Sequence, residues 1–237
     1  MAGLLRIVRF DIGLQLKSFI YPATVVSTGI ICGFILVLPV ETLSPEWGAF
    51  FVFIDPATIG LSFVGAIVLM EKAQRTIYAL GISPMRPWVY VASKTISLTL
   101  LTFAAGLVVA WVAVDRFDFG KMLVALTLSS TVAVLIGFAC VARAPSMNKL
   151  MITLLWVTGI AYIPVLAHFD VLPEALTPVV AVNPSYAILV TVLVSIDPEA
   201  VSTATKVYGY AYLGAWCVLG WWWTLREYKR YIITDGK

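Results

Sequence analysis

The sequence predicts an all-α integral membrane protein with six transmembrane helices. Of its 237 residues, 61% are hydrophobic and only 12% are charged, and the mean hydropathy is +0.96. A soluble domain needs about 25% charged residues to cover its surface, so the chain has no room for a soluble domain as well. Uncharged stretches of about 20 residues recur, and each forms a helix about 30 Å long, enough to cross a bilayer.

The predicted elements form one transmembrane domain that covers residues 1–237. Residues 3–18 carry apolar residues at helical spacing with basic residues between them, which predicts an interfacial helix against anionic lipid headgroups. The apolar line of that helix is Leu4, Ile7, Val8, Ile12 and Leu16. The predicted spans share length and apolarity, and they are 19–38, 50–70, 95–114, 122–142, 150–167 and 207–225.

Within the stretch 171–196, residues 175–196 are uncharged and long enough to span, but Pro178 and Pro184 interrupt them. Each proline removes a backbone donor, so we predict two short helices that dip in from the outer face as a re-entrant pair. The positive-inside rule agrees, because six crossings put most of the 16 basic residues and both termini in the cytoplasm. A full crossing at 171–196 would send the basic tail outside.

The stretch Phe50–Lys94 is where a span runs without a break into a charged segment with a helical pattern. The segment 71–82 has an apolar line at Ala73, Ile77 and Leu80, and its charges lie off that line. The pattern predicts a short amphipathic helix tied to a span and lying on the membrane surface, where a soluble partner could push it.

This stretch resembles the ABC-2 type permeases, which are the membrane halves of ABC exporters. A membrane helix is followed by Glu71-Lys72-Ala73-Gln74, about one helical turn, Ala-Leu, Ser-Pro and a second lysine. The residues of 55–74 are similar to the branch labelled fluoroquinolone-export permease. The resemblance implies six spans, a helical pair before the last span, and a coupling helix at 71–82. It also implies a dimer with a second permease copy or a paralogue, docked on a separate P-loop ATPase that binds ATP and Mg.

Two groups of site residues are predicted. The ATPase-coupling candidates are Glu71, Lys72, Gln74, Arg75 and Tyr78, and the outer gate candidates are Asp55, Asn183 and Pro184. Asp55 lies in an apolar run, where an acid is costly and usually faces a bundle interior or water. It could instead cap a helix that begins at Pro56, and both readings stay open.

The chain has no motif for chemistry of its own. It contains no P-loop and no HExxH, and its one histidine, His168, has only Asp170 nearby, so no catalytic, metal or cofactor site is predicted. The three cysteines fall in separate apolar spans, which excludes a CxxC pair. Membrane lipid is an expected partner, whereas nucleic acid is not.

We expect a permease subunit in the plasma membrane that exports hydrophobic or amphipathic, drug-like compounds with the help of an ATPase. The alternative is export of an endogenous lipid or cell-envelope precursor by the same architecture. An intramembrane enzyme would need a convergent polar constellation, which the sequence lacks. A membrane anchor without transport would leave the amphipathic segment after the second span without a purpose.

Overall fold

The computed structural model describes residues 2–39, 44–55, 59–74, 86–144 and 146–233, and every regular element in these ranges is helical. The helices are α1 Ala2–Lys17, α2 Ile20–Val37, α3 Pro45–Asp55, α4 Leu61–Ala73, α5 Pro87–Ala113, α6 Phe119–Ala142, α7 Met147–His168, α8 Thr177–Ala181, α9 Pro184–Ile196 and α10 Thr203–Glu227. A 3₁₀ turn, Glu174–Leu176, precedes α8, and a π-helical turn, Tyr228–Ile233, follows α10.

Three of the longest helices begin at a side-chain cap. The caps are Asp118 for α6, Ser146 for α7 and Ser202 for α10. Each accepts from the backbone N–H three residues later, at 3.1, 3.4 and 3.2 Å respectively. The N–H of Lys121 also holds the pKa of the Asp118 carboxyl below its ordinary value. These short polar caps place the helix starts a few residues before the predicted spans.

Four helices in the described ranges, α2, α5, α6 and α7, are long and apolar enough to cross a membrane. Half of the apolar window of α5 and 67% of that of α6 are buried, against 22% for both α2 and α7. Helices α5 and α6 therefore form the centre of the bundle, while α2 and α7 expose apolar surface. Helix α10 has 25 residues but is less apolar than these four.

Two predicted spans can be compared with the helices of the structure. The span 50–70 overlaps α3 and α4, and residues 56–58 between them lie outside the described residues. The two helices pack on different neighbours: α3 on α5 and α9, and α4 mainly on α6 and α7. Helix α5 begins at Pro87, before the predicted span start at residue 95, so Lys94 lies two turns inside α5. Lys94 is neutralised by neighbours in the fold and need not stay outside the helix.

The stretch predicted as a broken pair, 171–196, contains two helices, α8 and α9, with Val182 and Asn183 between them. Pro178 lies in the first turn of α8, and Pro184 opens α9. A proline at a helix start loses no intrahelical hydrogen bond, so both are tolerated there.

Buried apolar side chains form two clusters stacked along the helices. One, around Ile67, Leu98 and Phe138, joins α4 to the start of α5 and the end of α6. The other, around Phe53 and Leu189, joins α3 and α9 to the end of α5 and the start of α6. We call the side of the first cluster the α1 end and the side of the second the opposite end.

Candidate functional site

A buried cluster of charged side chains joins α1, α4 and α5 at the α1 end. The Lys94 ammonium Nζ lies 2.6 Å from Asp11 Oδ1 and 2.5 Å from Glu71 Oε1. The three side chains are only 3%, 5% and 7% exposed, respectively. A buried charge without a partner is costly, so the three helices depend on one another through this contact.

Each carboxylate in the cluster uses its second oxygen as well. The Ser93 hydroxyl donates to Asp11 Oδ2, and the Tyr90 hydroxyl donates to Glu71 Oε2. The Tyr90 ring stacks on Tyr228 with ring centroids 5.0 Å apart, so the turn that follows α10 covers the cluster. Burial, with the charge of Glu71 second, raises the pKa of Tyr228 to about 12. The cluster therefore has all four carboxylate oxygens hydrogen-bonded or paired.

The face of α1 that packs against α5 carries two polar residues and one apolar residue. It carries Val8, Asp11 and Gln15, all buried and spaced three and four apart, and Gln15 Nε2 donates to Ser97 Oγ at 2.8 Å. Leu16, part of the predicted apolar line of α1, is 54% exposed. The buried face is thus offset from the expected one, because pairing with α5 draws the polar residues inward.

Lys72 ties the end of α4 to the end of α6. Its Nζ lies 3.5 Å from the carbonyl oxygen of Val141 and 3.4 Å from that of Ala142. The last carbonyls of a helix lack intrahelical partners and carry the negative end of its dipole, so a lysine there both caps and stabilises the helix.

The next residue after α6, Arg143, connects to the end of α10. Its Nε and Nη2 donate to Glu227 Oε2 and Oε1, both at 2.8 Å. Trp223 Nε1 donates to the same carboxylate at 3.2 Å. The hydrogen bonds from Arg143 are the main reason that the pKa of Glu227 lies below its ordinary value. The ends of α4, α6 and α10 are therefore linked by polar contacts at one end of the bundle.

The predicted coupling residues lie in different surroundings. Glu71 is buried, Lys72 is half-buried, and Gln74 is exposed just after α4. Arg75 and Tyr78, with the other residues of 75–82, lie outside the described residues. Glu71 was expected on the docking surface, but Lys94 and Tyr90 hold its carboxylate inside the protein, and its part in coupling stays a prediction.

Sequence reasoning missed Asp11 and the role of Lys94. A usable signal was present, because Asp11 and Gln15 share one face of α1, and Tyr90, Lys94 and Ser97 share one face of α5. Two polar faces of this kind on neighbouring apolar helices indicate a contact between them. Which faces meet is decided by the fold alone.

At the opposite end, Asn183 replaces a hydrogen bond that a proline removes. Pro164 lies inside α7 and has no N–H, so the carbonyl of Ile160 lacks its donor four residues later. Asn183 Nδ2 donates to that carbonyl oxygen at 2.7 Å. Its Oδ1 accepts from the Ser185 N–H at 3.1 Å and so caps α9, in which Pro184 is the first residue.

The carbonyls at the end of α8 find their donors on α10. The Tyr208 hydroxyl donates to the Ala181 oxygen, and the Tyr212 hydroxyl donates to the Val182 oxygen. Together with Asn183, the two tyrosines satisfy backbone groups that the break between α8 and α9 frees. Such a break is tolerated in an apolar environment only when protein or water provides those partners.

Asp55 is the last residue of α3, and Pro56, the residue that it was predicted to cap, lies outside the described residues. The two roles predicted for Asp55, a cap of a helix that begins at Pro56 and a residue of the outer gate, both stay predictions. At the other end of α3, His168 Nε2 donates to the backbone carbonyl of Glu46 at 3.0 Å. In the described part of the chain, no group of three His, Cys, Asp or Glu residues is placed to hold a metal ion.

A cavity of about 430 Å³ lies beside Asn183, between α6, α7 and α9. Its walls are almost wholly aliphatic, with Val132, Val157 and Ile188 among them. Pockets for drug-sized ligands are typically about 300–1,000 Å³ and mostly apolar. The cavity therefore has the size and polarity that suit an apolar part of a small molecule.

Comparison with known proteins gives matches over almost the whole chain. The profile of the Fluoroquinolones export permease protein family matches residues 2–236. Two curated relatives, each named fluoroquinolones export permease protein, come from Mycobacterium tuberculosis strains CDC 1551 / Oshkosh and ATCC 25618 / H37Rv. Each is 28% identical over 212 residues, which is 89% of this chain and 87% of the relative.

Proposed function

Because the chain belongs to the fluoroquinolones export permease family, we propose that it is the transmembrane subunit of an ATP-driven ABC-2 type exporter. Its cargo is a hydrophobic or amphipathic, drug-like compound that leaves the cell. Four long apolar helices and the family profile support a multi-pass membrane permease. ATP and Mg bind to a separate P-loop ATPase subunit, and two permeases form the transport unit.

The observation that carries the coupling part of the proposal is the buried cluster at the end of α4. Lys94 fixes α4 to α1 and α5, and Lys72 fixes it to the end of α6. The segment predicted to dock on the ATPase, 71–82, begins in the last turn of α4. A push on that segment therefore moves the ends of several helices at once, which is the mechanical requirement for coupling.

Within this proposal the coupling residues have two roles. Glu71 and Lys72 are internal anchors, since their charged groups meet other helices of the same chain. Gln74, Arg75 and Tyr78 form the face that contacts the ATPase. Closure of the ATPase subunits on ATP moves this face, and the anchors carry the motion into α4 and α5.

The proposed topology has six crossings with both termini in the cytoplasm. Helices α3 and α4 together make the second crossing, and α8 and α9 dip in from outside without crossing. Single cysteines placed at Ser44 and Glu199 in a cysteine-free background should react with an impermeant thiol reagent from outside. Labelling of a cysteine at Asp235 from the same side would contradict this topology.

The outer gate is proposed at the contact of Asn183 with Ile160, next to Pro184, and Asp55 stays its third candidate residue. One hydrogen bond between the α8–α9 break and the proline-interrupted α7 holds this contact. Because a single hydrogen bond contributes about 0.5–1.5 kcal/mol net, it can break and re-form during a transport cycle.

The test of the proposed function is reconstitution. The permease is purified from its own membranes with whatever ATP-hydrolysing subunit co-purifies and placed in vesicles, where ATP-dependent movement of a fluoroquinolone is measured. We expect transport with ATP and none with a non-hydrolysable analogue. Transport that persists without ATP and follows a pH gradient would overturn the proposal.

The same vesicles distinguish the cargo and the coupling surface. Stimulation of ATP hydrolysis by an envelope lipid and not by the drug would favour the lipid-export alternative. Gln74→Ala and Arg75→Ala should lower drug-stimulated hydrolysis, because both are proposed to contact the ATPase. Lys149→Ala, which changes an exposed lysine after the cap of α7, is the matched control and should transport at the wild-type rate.

A further inference from the structure

One face of α10 changes from apolar to basic along the helix axis. Val218 and Trp222 are 70% and 61% exposed, and they lie one turn apart on this face. Arg226 follows after another turn, and Lys229 and Arg230 come next; all three are exposed. We call these five residues the α10 face.

The basic half of the face encloses a surface cleft. Trp222, Leu225, Arg226, Lys229 and Arg230 line a space of about 540 Å³. The Arg226 guanidinium carbon lies 5.6 Å from the centroid of the Trp222 ring, a cation–π distance that orients the arginine at the edge of the cleft. The cleft therefore offers three cations above an aromatic and aliphatic floor.

We propose that the α10 face is a binding site for one anionic phospholipid. The headgroup phosphate lies in the cleft against Arg226, Lys229 and Arg230, and an acyl chain lies along Trp222 and Val218. Basic residues that directly follow a membrane helix attract anionic lipids, and tryptophan favours the headgroup level of the bilayer.

The shape of the face selects a lipid over other anions. A free phosphate ion would use the three cations but would leave the exposed apolar surface of Val218 and Trp222 unexplained. An acidic protein surface would likewise meet the exposed apolar residues Val218 and Trp222, which lie one turn apart. A phospholipid has its anionic headgroup and apolar chains in the same order as the basic and apolar residues of the face.

The test uses the purified full chain in detergent, with bound lipid measured by native mass spectrometry. The probes are phosphatidylglycerol and phosphatidylcholine with identical acyl chains, and glycerol phosphate as the soluble headgroup. We expect phosphatidylglycerol to be retained in preference to phosphatidylcholine. Glycerol phosphate should displace it only weakly, because the soluble headgroup lacks the acyl chain.

The variant R226Q/K229Q/R230Q removes the three cations without altering apolar packing. Each basic residue near an anionic membrane contributes about fivefold in binding, so the preference should fall by roughly 100-fold. The matched control, R116Q/K121Q/K206Q, removes the same charge from the opposite end and should keep the preference. If the triple variant does not elute as a folded species, R226Q alone should show a smaller fall of the same kind.

Three results would overturn the proposal. An unchanged preference in the triple variant would exclude the cleft as the site. Displacement of phosphatidylglycerol by equimolar glycerol phosphate would make the cleft a site for free phosphate. Loss of a co-purifying ATPase subunit from the triple variant, with lipid binding intact, would make it a protein-docking surface. None of these results bears on whether the chain is an exporter.

Discussion

Replacing Lys94 by methionine tests the buried cluster at the α1 end. Methionine keeps an unbranched apolar stem of similar length, so the packing of α5 is preserved while the ammonium is lost. Asp11 and Glu71, whose side chains are 5% and 7% exposed, then remain buried without a cation. Removing one partner of a buried ion pair costs about 3–5 kcal/mol.

That cost converts into a measurable shift of the unfolding temperature. In a chain of this size 1 kcal/mol corresponds to about 2–4 °C, so Lys94→Met should lower Tm by roughly 6–20 °C. The triple variant Asp11→Asn, Glu71→Gln, Lys94→Met leaves no buried charge. Since neutral replacement of a complete buried pair is often tolerated, we expect its Tm to lie close to that of the wild type.

Thermal unfolding is followed at pH 7 in one detergent through the fluorescence of the eight tryptophans. Lys149→Met, a change at an exposed lysine, is the control for loss of a positive charge and should leave Tm unchanged. If Lys94→Met unfolds at the wild-type temperature, the two carboxylates do not depend on the lysine. If the triple variant is as unstable as the single one, the loss is due to packing and not to unpaired charge.

Three further predictions follow from contacts elsewhere in the bundle. Asn183→Ala should cost roughly 1–3 kcal/mol by leaving a carbonyl unpaired. Pro164→Ala restores the missing N–H, so Asn183→Ala should lower the stability less in that background. The Tm values of the wild type, the two single variants and the double variant test this. Gly137→Ala should lower Tm because its new Cβ would lie 2.6 Å from a valine methyl of α4 and against the backbone there, whereas Gly159→Ala, with nothing within 4 Å, should not. The pKa of Glu227 lies below its ordinary value of 4.5 in the folded state. Its contribution to folding stability is therefore present above pH 4.5 and is lost as the pH falls further. Glu227→Gln should flatten the decline of Tm with pH below 4.5, and an unchanged decline would contradict the pairing with Arg143.

The membrane class and most helix positions are predictable because long uncharged stretches can form little else in a bilayer. Helices α2, α6 and α7 lie within about three residues of the predicted spans. Helix α5 starts before the predicted span because a charge in an apolar run signals a helix end only if nothing in the fold neutralises it. The packing of α3 and α4 on different helices depends on neighbours from distant parts of the chain.

The candidate site was only partly predictable. The Glu-Lys pattern after an apolar span predicted that a surface helix begins at Glu71, whereas Glu71 and Lys72 lie in the last turn of α4. The partner of Lys94 across the cluster is Asp11, 83 positions away, and no local pattern encodes such a distant pair. The helix spacing of polar residues on α1 and α5 indicates that each has a polar face, while the match between the two faces is a property of the folded chain.

The division between α3 and α4 has a mechanical consequence. The two helices pack against different neighbours: α4 lies against α6 and α7, and α3 lies against α5 and α9. They also belong to separate apolar clusters. A tilt of α4 would therefore change its packing against α6 and α7, whereas the packing of α3 against α5 and α9 belongs to the other cluster.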